Sequence, residues 1–144
     1  MTALAVPPLT TLQTALREHL HLHATKAGCM QGGCGSCTVV VNGEPTLSCL
    51  FPLAVVEGQE VMTLEGLTPA GGLHPLQAAF HDHFAAQCGY CSPGMIMAAK
   101  ALLDRNPDPT REEIRAALVG NLCRCTGYLP IVEAVEDAAR RLRK

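Results

Sequence analysis

Apolar spacing changes character about halfway along the chain. In residues 10–22, Leu12, Leu16 and Leu20 recur at helical intervals, with Thr10 or Thr11 placed to cap a helix start. Residues 28–35 carry Gly28, Gly32, Gly33 and Gly35 and read as an irregular loop. The β-branched run Thr38–Val41 ends in Asn42-Gly43, a strong hairpin signal, so residues 45–50 are expected to return as a second strand. Residues 60–64 read as a further strand.

Beyond the turn formers of residues 68–72 the pattern is helical throughout. Pro75 opens a first helix through Leu76, Phe80 and Phe84. Pro93 precedes a second, through Ile96, Ala99 and Leu103 to the neighbourhood of Asn106-Pro107. Thr110 and Glu113 form a capping box for a third, through Ile114 and Leu118 to Gly120. Pro130, Ile131, Val135, Ala138 and Leu142 outline a fourth, with Arg140, Arg141, Arg143 and Lys144 complementing its dipole. The expectation is an α+β chain: a mixed domain over residues 1–67, a linker at 68–72, and an all-α domain of four short helices over 73–144.

Composition narrows the function. Among 144 residues there are only three Phe, two Tyr and no Trp, and the net charge is −2, so neither a base-stacking surface nor a basic footprint for nucleic acid is present. No apolar run is long enough to span a bilayer, and no signal-peptide pattern opens the chain. A cytoplasmic location is expected, or a periplasmic one if an export signal lies upstream of this sequence. In a reducing compartment the eight cysteines point to metal ligation rather than disulfides.

Those cysteines form two quartets. Cys29, Cys34 and Cys37 follow C-x4-C-x2-C, with Cys49 further on, which is the plant-type arrangement for a [2Fe–2S] cluster. Three thiolates must converge from one loop on a small core, and the surrounding glycines allow its backbone to turn tightly and aim N–H groups inward. Structural zinc normally uses two separated C-x2–4-C pairs and fits this loop poorly. The second quartet is Cys88 and Cys91, between the first two helices of the second half, and Cys123 and Cys125, between the last two. If the helix pairs pack with their turns facing, the four sulfurs meet. Taken alone, this quartet suits an iron–sulfur cluster but also zinc or copper; thioredoxin-like chemistry lacks its βαβ context.

Three segments together resemble one family. Gly28-Cys29-Met30-Gln31-Gly32-Gly33-Cys34-Gly35-Ser36-Cys37-Thr38, then Gln87-Cys88-Gly89-Tyr90-Cys91-Ser92-Pro93-Gly94-Met95, then Gly120-Asn121-Leu122-Cys123-Arg124-Cys125-Thr126-Gly127-Tyr128 are similar to the iron–sulfur subunits of the xanthine oxidase family of molybdenum hydroxylases. Aldehyde oxidases, carbon monoxide dehydrogenase small chains and 4-hydroxybenzoyl-CoA reductases belong to it. The resemblance runs from about residue 10 to residue 135. It implies a β-grasp ferredoxin-type domain followed by a four-helix domain, each holding one [2Fe–2S] cluster. It also implies a large partner subunit carrying molybdopterin, and a medium subunit carrying FAD. Electrons would pass from the molybdopterin site through the helical-domain cluster and then the ferredoxin-type cluster to FAD or another acceptor. By the same resemblance Gln87 would hydrogen-bond the pterin, and Cys125 would lie against it.

Family members begin with a β-hairpin ahead of the helix at residues 10–22. Here only residues 1–9 precede it, with Pro7-Pro8 interrupting a candidate strand at 3–6, so the sheet is expected to lack its first strand or to hold a truncated one. Two other functional classes fit the cysteine pattern: a free-standing two-cluster ferredoxin and a zinc-stabilised structural protein.

No catalytic side chain is indicated. His19, His21 and His23 alternate and do not share a helical face, and the same holds for His81 and His83. Met95 and Met97 read as core packing. Arg124 either offsets cluster charge or faces solvent, and Tyr90 and Tyr128 read as shields for the cysteine loops. The substrate of any holoenzyme would be decided on another chain.

Overall fold

The computed structural model describes residues 4–144. The fold combines a small sheet with helices. Its elements are α1 (Leu12–Thr14), which runs on into a π-helical turn (Ala15–His19), then β1 (Thr38–Val41), β2 (Glu44–Leu47), a 3-10 turn (Leu53–Val56), β3 (Val61–Met62) and α2 (Leu64–Leu67). They are followed by α3 (Pro75–Asp82), α4 (Ser92–Arg105), α5 (Arg111–Leu118) and α6 (Leu129–Leu142).

The hairpin forms as its turn residues require. Asn42 (φ 48°) and Gly43 (φ 84°) both adopt the left-handed region, the geometry that lets a two-residue turn follow the twist of its strands. The pairing is antiparallel with Val39 opposite Thr46, and β3 pairs antiparallel on the other edge of β1, giving the order β2-β1-β3.

All four residues of β1 are buried because the strand has a core on each side. Val39 and Val41 pack with Leu12, Leu16 and Val56. Val40 points the other way, into the core of Leu76, Phe80, Met95, Ile96, Ile114, Ile131 and Val135 contributed by α3–α6. Met95 and Met97 are fully buried there, as the sequence implied.

The helices start where their caps allow. The Thr110 hydroxyl accepts from the Glu113 N–H (3.3 Å), and the Glu113 carboxylate accepts from the Thr110 N–H (2.7 Å). At α3 an imidazole serves the same purpose, with His74 Nδ1 accepting from the Leu76 N–H at 3.2 Å.

Several boundaries differ from expectation. The helix expected over 10–22 is shorter and changes type. Thr11 caps it, but Leu20 N–H reaches back to the Ala15 carbonyl and Leu22 N–H to that of Leu16, and His21 (φ 57°) turns the chain away. The second strand stops at Leu47 rather than residue 50, because the Ser48 hydroxyl and N–H both bond the Cys37 carbonyl and bend the chain back. Cys49 therefore sits in a turn. The third strand shrinks to two residues and passes into α2. Phe84 lies beyond α3, in the left-handed region and exposed. Of the candidate first strand at 3–6, residue 3 lies outside the described residues, and Leu4 to Val6 form no strand.

Candidate cluster-binding sites

Three members of the first quartet, Cys29, Cys34 and Cys37, lie in the loop before β1, and Cys49 in the turn after β2. Left-handed conformations at Met30 (φ 58°), Gly32 (φ 80°) and Gly35 (φ 71°) curl the backbone around the sulfurs. Gly33 N–H donates to Cys29 Sγ at 3.2 Å. The backbone N–H of Gln31 and the neighbouring Cys34 thiol lower the Cys29 thiol to about 7. Cys49 moves the other way, to about 11, pushed up by burial and by the adjacent Cys37 thiol, with a smaller contribution from Cys29. These effects link Cys29 with Cys34 and Cys49, and Cys49 with Cys37. Gly28 has no room for a side chain, since a Cβ there would stand 2.8 Å from Cys34 Sγ.

The second quartet forms where the α3–α4 and α5–α6 connections face each other. Cys88 and Cys125 bring their Sγ atoms to 3.7 Å on the exposed side, and the Cys88 thiol raises Cys125. Cys91 and Cys123 pair on the inner side. Burial and the Cys123 thiol push Cys91 up to about 12. For Cys123, burial pushes upward, but the Thr126 hydroxyl (3.1 Å from Sγ) and the N–H groups of Cys125 and Thr126 outweigh it and hold the thiol below its ordinary value. The Ser92 hydroxyl, next to Cys91, is buried with no hydrogen-bond partner, an orphan that a cluster sulfur beside it could satisfy.

The donor sets fit [2Fe–2S] groups: two all-thiol quartets, each with donor N–H or O–H groups already turned toward sulfur. Among the described residues no three His, Cys, Asp or Glu side chains gather tightly around a point suited to a single metal ion. His21 and His23 stack loosely, with ring centroids 6.0 Å apart, and His83 pairs with Asp137 at 3.2 Å.

Other residues of the sites were visible only as part of the motifs. The Tyr128 hydroxyl accepts from the Cys123 N–H at 2.9 Å. The Tyr90 hydroxyl donates to the Ala27 carbonyl at 2.9 Å, crossing from the second cysteine loop to the first. Leu122 N–H donates to the Cys34 carbonyl at 2.9 Å. The buried Asn121 amide donates to the Gly35 carbonyl (3.0 Å) and the Thr38 hydroxyl (3.3 Å). Periodicity carries no trace of these crossings, because each joins positions far apart in the chain. Gln87 is exposed, its amide donating to the Phe84 carbonyl of its own loop at 3.2 Å. Arg124 is exposed.

Comparison with known proteins agrees with this geometry. Residues 1–64 match the family described as 2Fe-2S iron-sulfur cluster binding domain, and residues 63–136 match the [2Fe-2S] binding domain family. The nicotinate dehydrogenase small FeS subunit of Eubacterium barkeri is 48% identical over 139 residues, covering 96% of this chain and 88% of its own. The chain is an iron–sulfur subunit of the xanthine oxidase family. Among solved members of that family, quinoline 2-oxidoreductase from Pseudomonas putida 86 superposes with a TM-score of 0.92 at 46% identity, covering 96% of this chain and 86% of that one. The aldehyde oxidoreductase from Desulfovibrio gigas gives a TM-score of 0.95 at 44% identity, over 99% of this chain but 16% of that one. The family places the chain among the non-catalytic, electron-transferring components of oxidoreductases, with two [2Fe–2S]-binding domains.

Proposed function

We propose that the chain relays single electrons from a molybdopterin site on a large partner subunit to FAD on a medium partner subunit, or to another acceptor. Cys29, Cys34, Cys37 and Cys49 would hold one [2Fe–2S] cluster, and Cys88, Cys91, Cys123 and Cys125 the other. When bound, each cluster supplies one-electron redox chemistry. The observation that carries the reading is the pair of four-thiol sets, with Cys88 and Cys125 Sγ 3.7 Å apart, whose loops are hydrogen-bonded to each other.

In this reading residues 1–67 form a β-grasp ferredoxin-type domain, residues 73–144 a four-helix domain, and 68–72 the linker. The protein's own groups keep the sites ready. Gly33 N–H and the Thr126 hydroxyl donate to thiol sulfur, which stabilises negative charge there and tunes the potential. Cys37 and Cys49 are buried and the inner pair half-buried, which limits access of water. Cys88 and Cys125 stand on the exposed side beside Gln87, and exposed Phe84 and Leu122 are drawn from the same two connections, with exposed Leu129 at the start of α6. That surface suits docking of the molybdopterin subunit, with Gln87 and Cys125 placed toward the pterin. The long single-chain aldehyde oxidoreductase, of which this chain matches a small part, supports large partner chains for the remainder. No described helix is long and apolar enough to cross a membrane.

The test is metal analysis and EPR of the complex as purified. Wild type should carry about four irons and four labile sulfides per chain, with two distinct reduced signals. Cys37→Ser should remove one signal and Cys91→Ser the other. Stoichiometric zinc without sulfide would refute the reading, and a lone chain active without a molybdenum subunit would make it a free ferredoxin.

A further inference from the structure

The loop carrying Cys29, Cys34 and Cys37 is wedged between two segments of the helical half. On one side is the start of α4, where a Cβ added at Gly94 would stand 2.3 Å from the Gly35 carbonyl oxygen. On the other is the segment before Cys123, where a Cβ added at Gly35 would stand 2.5 Å from the Gly120 carbonyl oxygen. Each side of the wedge lies next to thiols of the second quartet, Cys91 on one and Cys123 on the other. Close packing sets how near the two loops come, but it does not orient them.

Orientation comes from Asn121. The residue is 6% exposed, and its amide spans the junction to the Gly35 carbonyl at 3.0 Å and the Thr38 hydroxyl at 3.3 Å. The next residue, Leu122, makes the N–H···O=C bond to Cys34 at 2.9 Å. That bond joins the quartets by a continuous route: Cys34 Sγ, Cβ, Cα and carbonyl, one hydrogen bond, Leu122 N, Cα and carbonyl carbon, then Cys123 N, Cα, Cβ and Sγ. Every other link on the route is covalent. Leu122 itself is exposed, so packing of its side chain does not hold its N–H in line; the buried Asn121 lies beside it.

We propose that Asn121 is a positioning residue for electron transfer between the two clusters: by pinning Gly35 and Thr38 it holds the Leu122–Cys34 hydrogen bond that connects one thiol quartet to the other. The inference rests on the electron-transfer reading above. One electron leaves the donor cluster and enters the acceptor cluster, with no proton moved and no bond made or broken.

The experiment compares wild type with Asn121→Ala and Asn121→Asp in the complex with its partner subunits. It reads iron and labile sulfide, spin–spin broadening in the EPR of the fully reduced sample, intercluster transfer after pulsed reduction, and hydrogen exchange at the Leu122 amide. Both variants should keep their iron. The Leu122 amide should exchange about tenfold faster, the free-energy scale of one hydrogen bond. Transfer should slow about tenfold or more, as misplacement of aligned groups does elsewhere, and the broadening should weaken. Should Asn121→Ala shed a cluster, Asn121→Asp decides, since it keeps the volume but cannot donate. A variant with full iron and wild-type Leu122 exchange, broadening and transfer overturns the proposal. A wild type without iron would instead sink the electron-transfer reading, while Leu122 exchange would still report whether Asn121 holds the junction.

Discussion

Glycine serves two different purposes in the first cysteine loop, and the structure separates them. Gly35 has φ 71°, and a Cβ there would meet the Gly120 carbonyl oxygen at 2.5 Å and the Asn121 amide at 2.6 Å. A backbone carbonyl cannot yield as a flexible side chain can, so Gly35→Ala should cost about 2 kcal/mol, combining left-handed strain with overpacking. Gly33 has ordinary φ, and a Cβ there would meet nothing within 4 Å; its contribution is an N–H directed at Cys29 Sγ, which alanine retains. Gly33→Ala should therefore change stability by less than about 1 kcal/mol and leave the iron content intact. Thermal melts with iron analysis check the pair, and equal damage from both substitutions would contradict it. The glycine-rich composition marked this segment as a loop, but which glycine is indispensable depends on residues 120 and 121, far along the chain.

At the scale of elements, α3 and α6 are braced by charge between the C-terminal end of α3 and the C-terminal half of α6. Arg141 bonds Asp82 at 2.7 Å and Asp137 at 2.6 Å, and His83 adds a contact to Asp137 at 3.2 Å. Burial pushes the Asp137 carboxyl upward, but Arg141 and His83 outweigh it and hold it below the usual carboxylate range. A carboxyl whose folded pKa is depressed contributes stability that is complete above its unfolded pKa and is lost as pH falls through the folded one. Asp137→Asn should thus lower stability near neutrality by about 1 kcal/mol, the scale for a partly exposed network. That difference should vanish as acid protonates the wild-type carboxyl, which denaturant melts at several pH values would reveal; a deficit unchanged at low pH would mean the group acts through packing. Element types were legible wherever the signal was local. The box at Thr110 and Glu113 and the Asn42-Gly43 turn are each contained in a few residues. The π-helical turn was not, because it depends on distant ties: Arg17 donates to the carbonyls of His23 and Thr25, and the Gln13 side chain to that of Lys26. The leucine spacing that read as one helix is thus diverted by side chains reaching across the following loop.

Across the whole molecule, the division into two halves that the cysteine quartets and helical periodicity convey does not extend to the core. β1 belongs to the first half by sequence, yet Val40 is buried among residues of α3–α6 while Val39 and Val41 face the smaller core. A run of three valines gave no alternation from which two opposed faces could be read. The loops add to this continuity through Tyr90–Ala27, Leu122–Cys34 and Asn121–Gly35. Removing β1 from the helices would expose Val40 and break these crossings together, so the strand and the helical core should open as one unit rather than two. Native-state hydrogen exchange on the intact chain tests this. The amides of Val39 and Val40 in β1 and of Ala99 and Leu103 in α4 should converge on a single opening free energy as denaturant rises, with the same dependence on denaturant. Independent halves would instead give two plateaus, β1 opening at lower free energy while α4 stays closed. Fixed spacing between two redox centres requires that neither moves relative to the other, and a shared strand core provides that without demanding rigidity of the exposed 68–72 connection.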